Sequence, residues 1–334
     1  PHRFYPAVVL HSKNYGWVSH IRMRHSLSVS TMKNGTTHIF GGHVSIAGGY
    51  AEALPRAKAL GGNALQMFST SPRGWHYAHV GKEEAERFKK EAKALGVAAA
   101  YFHASYLLNL ADDGPNGRRS VEALIAELTV AEALGVKGSI IHLGSFKEEK
   151  AKKESLMPTL FENGKKAPQY VKHPRYDLLI SNIKSVLQKS PSRTLFIIEN
   201  MGMRKIGRDL AEVAAIVKDV NDRRVRVCLD ICHLHAAGYD LGMNARLDAF
   251  LDEFDRLIGL ERLECFHIND SRDDFGSLRD RHANIGEGKV GTDVFKLLLN
   301  HPKTKHLPFI LEVPGFDGAG PDRKNMDILK SLVR

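Results

Sequence analysis

Cysteine is scarce in this chain: Cys228, Cys232 and Cys265 are the three that its 334 residues contain. An odd number with no C-x-x-C spacing excludes a disulfide scaffold and favours a reducing intracellular compartment (cytoplasm, nucleoid or nucleus). The thiols are expected to pack as small buried hydrophobes. No run approaches the ~18 apolar residues of a membrane helix, so no spanning segment and no membrane partner is predicted. No G-x-G-x-x-G or Walker string directly follows a strand-like segment, which counts against an open nucleotide-binding sheet. Acid is missing too, since residues 1–51 hold no aspartate or glutamate. Residues 1–36, with scattered Arg, Lys, His and Ser, are read as an N-terminal extension. Mitochondrial or other organelle targeting is one meaning of such a composition, and a natural start at Met32 is another.

What is present is ordinary for a folded protein: 43% apolar and 26% charged residues, enough to bury roughly three quarters of the unfolded surface in one large domain. Lysine and arginine outnumber aspartate and glutamate by 48 to 38, a net charge of +10. A basic surface attracts polyanions, nucleic acid foremost, although it serves solubility equally well.

From residue 37 onward, apolar β-rich runs alternate with amphipathic helical patterns. The runs are THIFGG (37–42), NALQMF (63–68), VAAAYF (97–102), GSIIH (138–142), TLFIIE (194–199), VRVCLD (225–230), LECFHI (263–268) and PFILEV (308–313). The clearest helix spans 119–134, where Val121, Leu124, Ile125, Leu128, Ala131 and Leu134 recur at three- and four-residue intervals and Gly135 supplies a C-cap. Other helices are expected near 49–60, 82–95, 176–189, 208–219, 243–258, 292–299 and 322–333. Strands apolar on both faces and separated by helices pair in parallel, and eight such units predict an α/β fold, a closed (β/α)8 TIM barrel over 37–334. A lysine-rich insertion at 146–175 stretches the fourth βα loop; it either skims a phosphate backbone or is simply solvated.

In such a barrel the working face lies at the C-terminal ends of the strands. Those positions carry His103, His142, Glu199, Asp230 with His233, His267, then Asp280 and His282 after the seventh strand, and Glu312. Each alone has an ordinary explanation as an ion-paired or packed residue. Together, five imidazoles and four carboxylates on one rim are costly to desolvate unless cations compensate them. Nitrogen and oxygen donors without cysteine sulfur suit Zn2+, with Mn2+ or Fe2+ as substitutes. So many donors exceed the needs of one ion, and two or three fit better, a carboxylate bridging a pair. Clustered divalent cations are suited to phosphodiester hydrolysis.

The strings GGHVSIAGG (41–49), FHASYLLNL (102–110), IIHLGS (140–145), IIEN (197–200), CLDICHLHAAGYD (228–240), FHIND (266–270), DRHANIGEG (280–288) and FILEV (309–313) resemble the endonuclease IV family of apurinic/apyrimidinic endonucleases. The resemblance covers about 38–334. It implies a barrel holding three zinc ions that cuts DNA 5′ to an abasic site, leaves a 3′-hydroxyl and also removes 3′ blocking groups. His103 and His142 would hold the first zinc and Glu199 would bridge it to a second, completed by Asp230, His267 and Glu312. His233, Asp280 and His282 would hold the third. Glu199 would be the catalytic carboxylate, bridging the two ions that carry the attacking hydroxide, so no Ser or Cys nucleophile is needed.

An abasic nucleotide has no base to read, so recognition must rest on bending and flipping. By resemblance Arg73 in SPRGW (71–75) and Tyr106 with Leu107 would wedge into the stack; a loop salt bridge for Arg73 and core packing for Trp75 and Tyr106 are the alternatives. After Asn200 the chain reads MGMRKIG, where the family has a Thr-, Ala- and Gly-rich loop, and Arg204 and Lys205 would grip phosphate instead. His43 and His235 are left outside the ligand set. The rival functions are a xylose-isomerase-like sugar isomerase or epimerase, for which Glu199, Asp230, His267 and Glu312 would suffice, and a non-catalytic DNA-binding barrel with structural metals. Lesion repair on such a barrel needs only a monomer.

Overall fold

The computed structural model describes residues 38–146, 172–202 and 205–334. The 1–36 extension, nearly all of the 146–175 insertion and Arg204 lie outside the described residues. Eight parallel strands close on themselves: β1 (Ile39–His43), β2 (Ala64–Phe68), β3 (Ala99–His103), β4 (Gly138–Ile141), β5 (Leu195–Glu199), β6 (Val225–Asp230), β7 (Leu263–His267) and β10 (Pro308–Leu311), with β10 pairing to β1. Each coincides with one of the eight expected runs to within two residues at either end. Between them run α1 (Ala53–Ala59), α2 (Lys82–Ala94), α3 (Pro115–Leu134), α4 (Tyr176–Lys189), α5 (Leu210–Val220), α7 (Asn244–Leu257), α8 (Thr292–Asn300) and, last, α9 (Arg323–Ser331).

The local chemistry explains the boundaries. Helix α3 starts four residues before the expected position 119 because Pro115, which has no N–H to lose, opens its first turn, and it stops at Gly135 in the left-handed region at φ 74°. At the start of β4 a side chain on Gly138 would lie 2.1 Å from the Leu195 carbonyl oxygen, so only glycine allows β4 and β5 to pair there. The barrel is filled rather than hollow: Ala64, Ala99, Tyr101, Ile140, Ile197, Cys228, Cys265 and Ile310 form its inner cluster. Burial of Cys228, Cys232 and Cys265 as free thiols agrees with the sequence expectation.

Two elements escape a periodicity reading. Helix α6 (Ile231–Ala237) follows β6 without a loop: the Asp230 carboxylate caps it by accepting from the His233 amide at 2.9 Å, and Gly238 closes it at φ 94°. A short antiparallel pair, β8 (Asp270–Ser271) with β9 (His282–Ala283), folds back over the rim after β7 and sets Ser271 opposite His282.

Candidate metal centre

All nine rim residues converge at the C-terminal end of the barrel. Four end strands outright: His103, Glu199, Asp230 and His267 are the last residues of β3, β5, β6 and β7. His142 follows β4 and Glu312 follows β10, while α6 presents His233 and the β8–β9 hairpin presents Asp280 and His282. A register irregularity between Val227 and Cys228 precedes Asp230, the kind of strand distortion that re-aims a side chain at a rim.

Their polar atoms sort into groups whose donors lie within 4.8 Å of one another: His103, His142 and Glu199; Glu199, Asp230, His267 and Glu312; and His233, Asp280 and His282. Glu199, fully buried, belongs to the first two. Its Oε2 lies 2.6 Å from His142 Nε2 and 3.1 Å from His103 Nε2, and its Oε1 lies 3.0 Å from His267 Nδ1. Cys232 also falls near Asp230 and His282. Burial pushes its thiol far up, so it stays neutral, and a neutral thiol is a poor ligand.

In three of the rings the far nitrogen explains how the near one is aimed. His103 Nδ1 donates to the Ala104 carbonyl at 2.8 Å, His233 Nδ1 to the Asn200 carbonyl at 2.8 Å, and His282 Nδ1 to the Glu312 carbonyl at 3.3 Å. A neutral ring that donates from Nδ1 turns its Nε2 lone pair to the cluster. Among the described residues, Nε2 of His233 and His282 and Nδ1 of His142 have no hydrogen-bond partner although they are buried. The Nε2 atoms of His233 and His282 stand beside the Asp280 and Asp230 carboxylates, a combination that a cation satisfies, and mixed N and O donors are suited to zinc-like ions. The residues therefore fit a metal.

Without an ion, protons do the compensating. Burial opposes charge on every one of these groups, yet the Glu199 hydrogen bond and the Glu312 charge carry His103 up to about 9, and the Asp230 charge and the Asp280 contact carry His282 up to about 9. His142, His267 and His103 hold Glu199 well below the usual carboxylate range against its burial. For His43 and His142 burial wins, and both are lowered.

Three supporting amides were not singled out from the sequence. Asn269 donates to Asp230 Oδ2 and accepts from the Glu312 amide, both at 2.7 Å; Asn200 accepts from the Asp230 amide at 2.7 Å; and Gln66 bridges His267 and Glu312. Asp270 takes a different part. Its buried carboxylate accepts from the amides of Ser271, Gly286, Gly288 and Val290 at 2.8 to 3.1 Å, so the glycine-rich GEGKVG string (286–291) wraps an internal anion, not a phosphate.

The mouth is a cleft of about 310 Å³ lined by His103, His142, His233, Asp280, His282 and Glu312 of the rim, with Tyr106 and Pro314. Tyr106 is 59% exposed and Leu107 39% exposed, so the core-packing alternative for Tyr106 does not hold. The Tyr106 ring stands 5.5 Å from His103 and 6.0 Å from His142, centroid to centroid. Ser105 donates to the Pro72 carbonyl at 2.9 Å and so ties this loop to the one that carries exposed Arg73. Trp75 instead packs on the core under Arg119. His43 and His235 stay outside the donor groups, the latter bonded to the Asp273 carbonyl. No helix among the described residues is long and apolar enough to cross a membrane.

Residues 54–332 match the family model described as Xylose isomerase-like TIM barrel. Endonuclease 4 of Thermus thermophilus is 36% identical over 298 residues, covering 88% of this chain and 98% of the relative. Probable endonuclease 4 of Halothermothrix orenii is 35% identical over 294 residues, covering 87% and 98%. The crystal structure of endonuclease IV from Thermus thermophilus superposes with a TM-score of 0.72 at 33% identity, covering 88% of this chain and 98% of that one. A 3-keto-D-glucoside 4-epimerase from E. coli, at 14% identity and a TM-score of 0.59, shares the fold alone. With two thirds and more of both chains aligned at this identity, and the donor groups in place at the rim, the chain belongs to the endonuclease IV family of xylose-isomerase-like TIM barrels.

Proposed function

We propose that this chain is a zinc-dependent DNA repair endonuclease that hydrolyses the phosphodiester 5′ to an abasic site, leaves a 3′-hydroxyl and also removes 3′ blocking groups. The observation that carries the reading is the sharing of Glu199 between two donor groups, with a third group beside them. An isomerase needs only the group of Glu199, Asp230, His267 and Glu312, so the five further donors speak for phosphodiester chemistry.

His103, His142 and Glu199 would hold one zinc ion, Glu199, Asp230, His267 and Glu312 a second, and His233, Asp280 and His282 a third. When bound, such ions make water acidic enough to act as a nucleophile near neutral pH and offset charge on the phosphodiester oxygens. The chain's own residues do the rest. Glu199, anchored by imidazoles on both oxygens, holds two donor groups at a fixed separation. Tyr106 and Leu107, exposed at the mouth, and Arg73 on the tethered neighbouring loop fill the gap left by the missing base, and stacking of this kind tolerates any flanking sequence. Excess positive charge, and Lys205 near the fifth strand, attract the backbone. Three free buried thiols suit a reducing compartment, and a monomer suffices.

Purified, metal-replete protein is tested on a duplex with one abasic site. Nicking 5′ to the lesion that stops with chelator and weakens at raised salt is the expected result. An uncut duplex together with epimerisation of ketose sugars would favour the sugar-isomerase reading.

A further inference from the structure

We propose that Gln66 is a positioning residue that selects the tautomer of His267, and through it the donor atom that His267 offers to a cation; the inference rests on the metal reading above. Gln66 sits in β2 with no exposed surface, a polar side chain inside an otherwise apolar strand. Its amide touches three groups. Nε2 lies 2.5 Å from Glu312 Oε1 and 3.0 Å from His43 Nδ1, and Oε1 lies 2.7 Å from His267 Nε2.

The chemistry leaves one arrangement. An ionised carboxylate only accepts, so the Gln66 NH2 must face Glu312, and the opposite orientation would set two acceptors against each other. The amide oxygen then faces His267, which must carry its proton on Nε2. In the neutral ring Nδ1 is then the nitrogen left to a cation, beside Glu199 Oε1 at 3.0 Å and Glu312 Oε2 at 3.2 Å, where in the metal-free protein a second proton takes its place. His103, His233 and His282 do the reverse, since backbone carbonyls take their Nδ1 protons and leave Nε2 facing inward. Among these four rings only His267 has its proton fixed by a side chain, so only its tautomer is open to change by substitution at the partner.

The same amide holds Glu312 by its Oε1 and leaves Oε2 on the side of His267. Gln66 thus aligns two donors of one group while contributing none itself. Outer partners of this kind typically change metal affinity 10- to 100-fold when removed.

The test compares the full chain with Gln66→Met, of similar length but without a competent acceptor, and Gln66→Glu, which keeps an oxygen toward His267 and, protonated on its other oxygen, still donates to Glu312. Titration with cobalt(II) reads affinity, and nitrogen-15 spectra of the histidine rings, at a pH where they are neutral, read the tautomer. The expected result is an Nε2-protonated His267 in the unsubstituted protein and in Gln66→Glu. Gln66→Met is expected to mix the tautomers and bind cobalt about 10- to 100-fold more weakly at one group. Unchanged cobalt affinity and an unchanged ring in Gln66→Met would overturn the proposal, as would an Nδ1-protonated His267 in the unsubstituted protein even where abasic duplex is cut. If the duplex stays uncut while the cobalt and ring changes appear, the nuclease reading fails and the positioning role is supported.

Discussion

His233 Nε2 stands 3.1 Å from Asp280 Oδ1 while the ring donates from its other nitrogen to the Asn200 carbonyl, so in the neutral ring the Nε2 lone pair lies beside the carboxylate. Donor and carboxylate face a common point, as they do when both serve a third body. We predict that Asp280→Ala removes about one equivalent of bound metal by elemental analysis and lowers nicking by about 10²-fold or more, roughly 3 kcal/mol. Full metal content in that variant would break the assignment.

Glu199 and Arg73 should separate in kinetics. Glu199→Gln alters a buried side chain shared by two donor groups, so its kcat is expected to fall by about 10³-fold. Arg73→Ala, on an exposed loop, should act mainly on KM and by about tenfold. Equal losses of kcat in the two variants would contradict the assigned roles.

For the metal-free protein the sign of the pH effect follows from the raised imidazoles. His103 and His282 are lifted from an ordinary 6.5 to about 9, so the stability they supply is full below 6.5 and is lost as pH rises through about 9. Thermal unfolding in chelator should therefore show Tm falling between these pH values. Cation affinity should climb over the same window, because a ligand must first give up its proton. A flat Tm across that range would count against the pairing.

Tyr106 and Leu107 contribute little to the core, being exposed, so replacing each by Ala should leave Tm nearly unchanged. Abasic-duplex binding is expected to weaken by about 1–3 kcal/mol for Tyr106→Ala. Binding titrations beside a melting curve give both numbers, and a stability loss without a binding loss would return Tyr106 to a packing role.

Asp270→Ala should behave in the opposite manner. It strips a buried carboxylate from four backbone amides, at a cost of about 3–5 kcal/mol in unfolding free energy. Because Asp270 pairs with Ala283, next to His282, the metal held by the hairpin should weaken too. Denaturant unfolding with metal analysis reads both, and wild-type stability would refute the structural role.

Much of this was visible in one dimension. Parallel strands buried on both faces leave apolar runs, and a polar residue at the end of such a run marks the rim, which is why His103, Glu199, Asp230 and His267 could be found by position alone. The seven residues of α6 were not legible as a helix because their cap is Asp230, a residue that already had another explanation. Gln66 carried a signal, a lone amide in ALQMF, but its partners lie 23, 201 and 246 residues away and no periodicity links them.

Order along the chain determined the eight-fold alternation, the rim and the inventory of donors, because hydrophobic period and strand-end position are local properties. The division of those donors into groups followed from family resemblance and not from their order, and only the closed barrel decided which ring nitrogen each imidazole turns inward and which amides hold them there. Hydrogen-bond geometry depends on side chains that meet across the barrel, and their spacing in space is unrelated to their spacing in sequence.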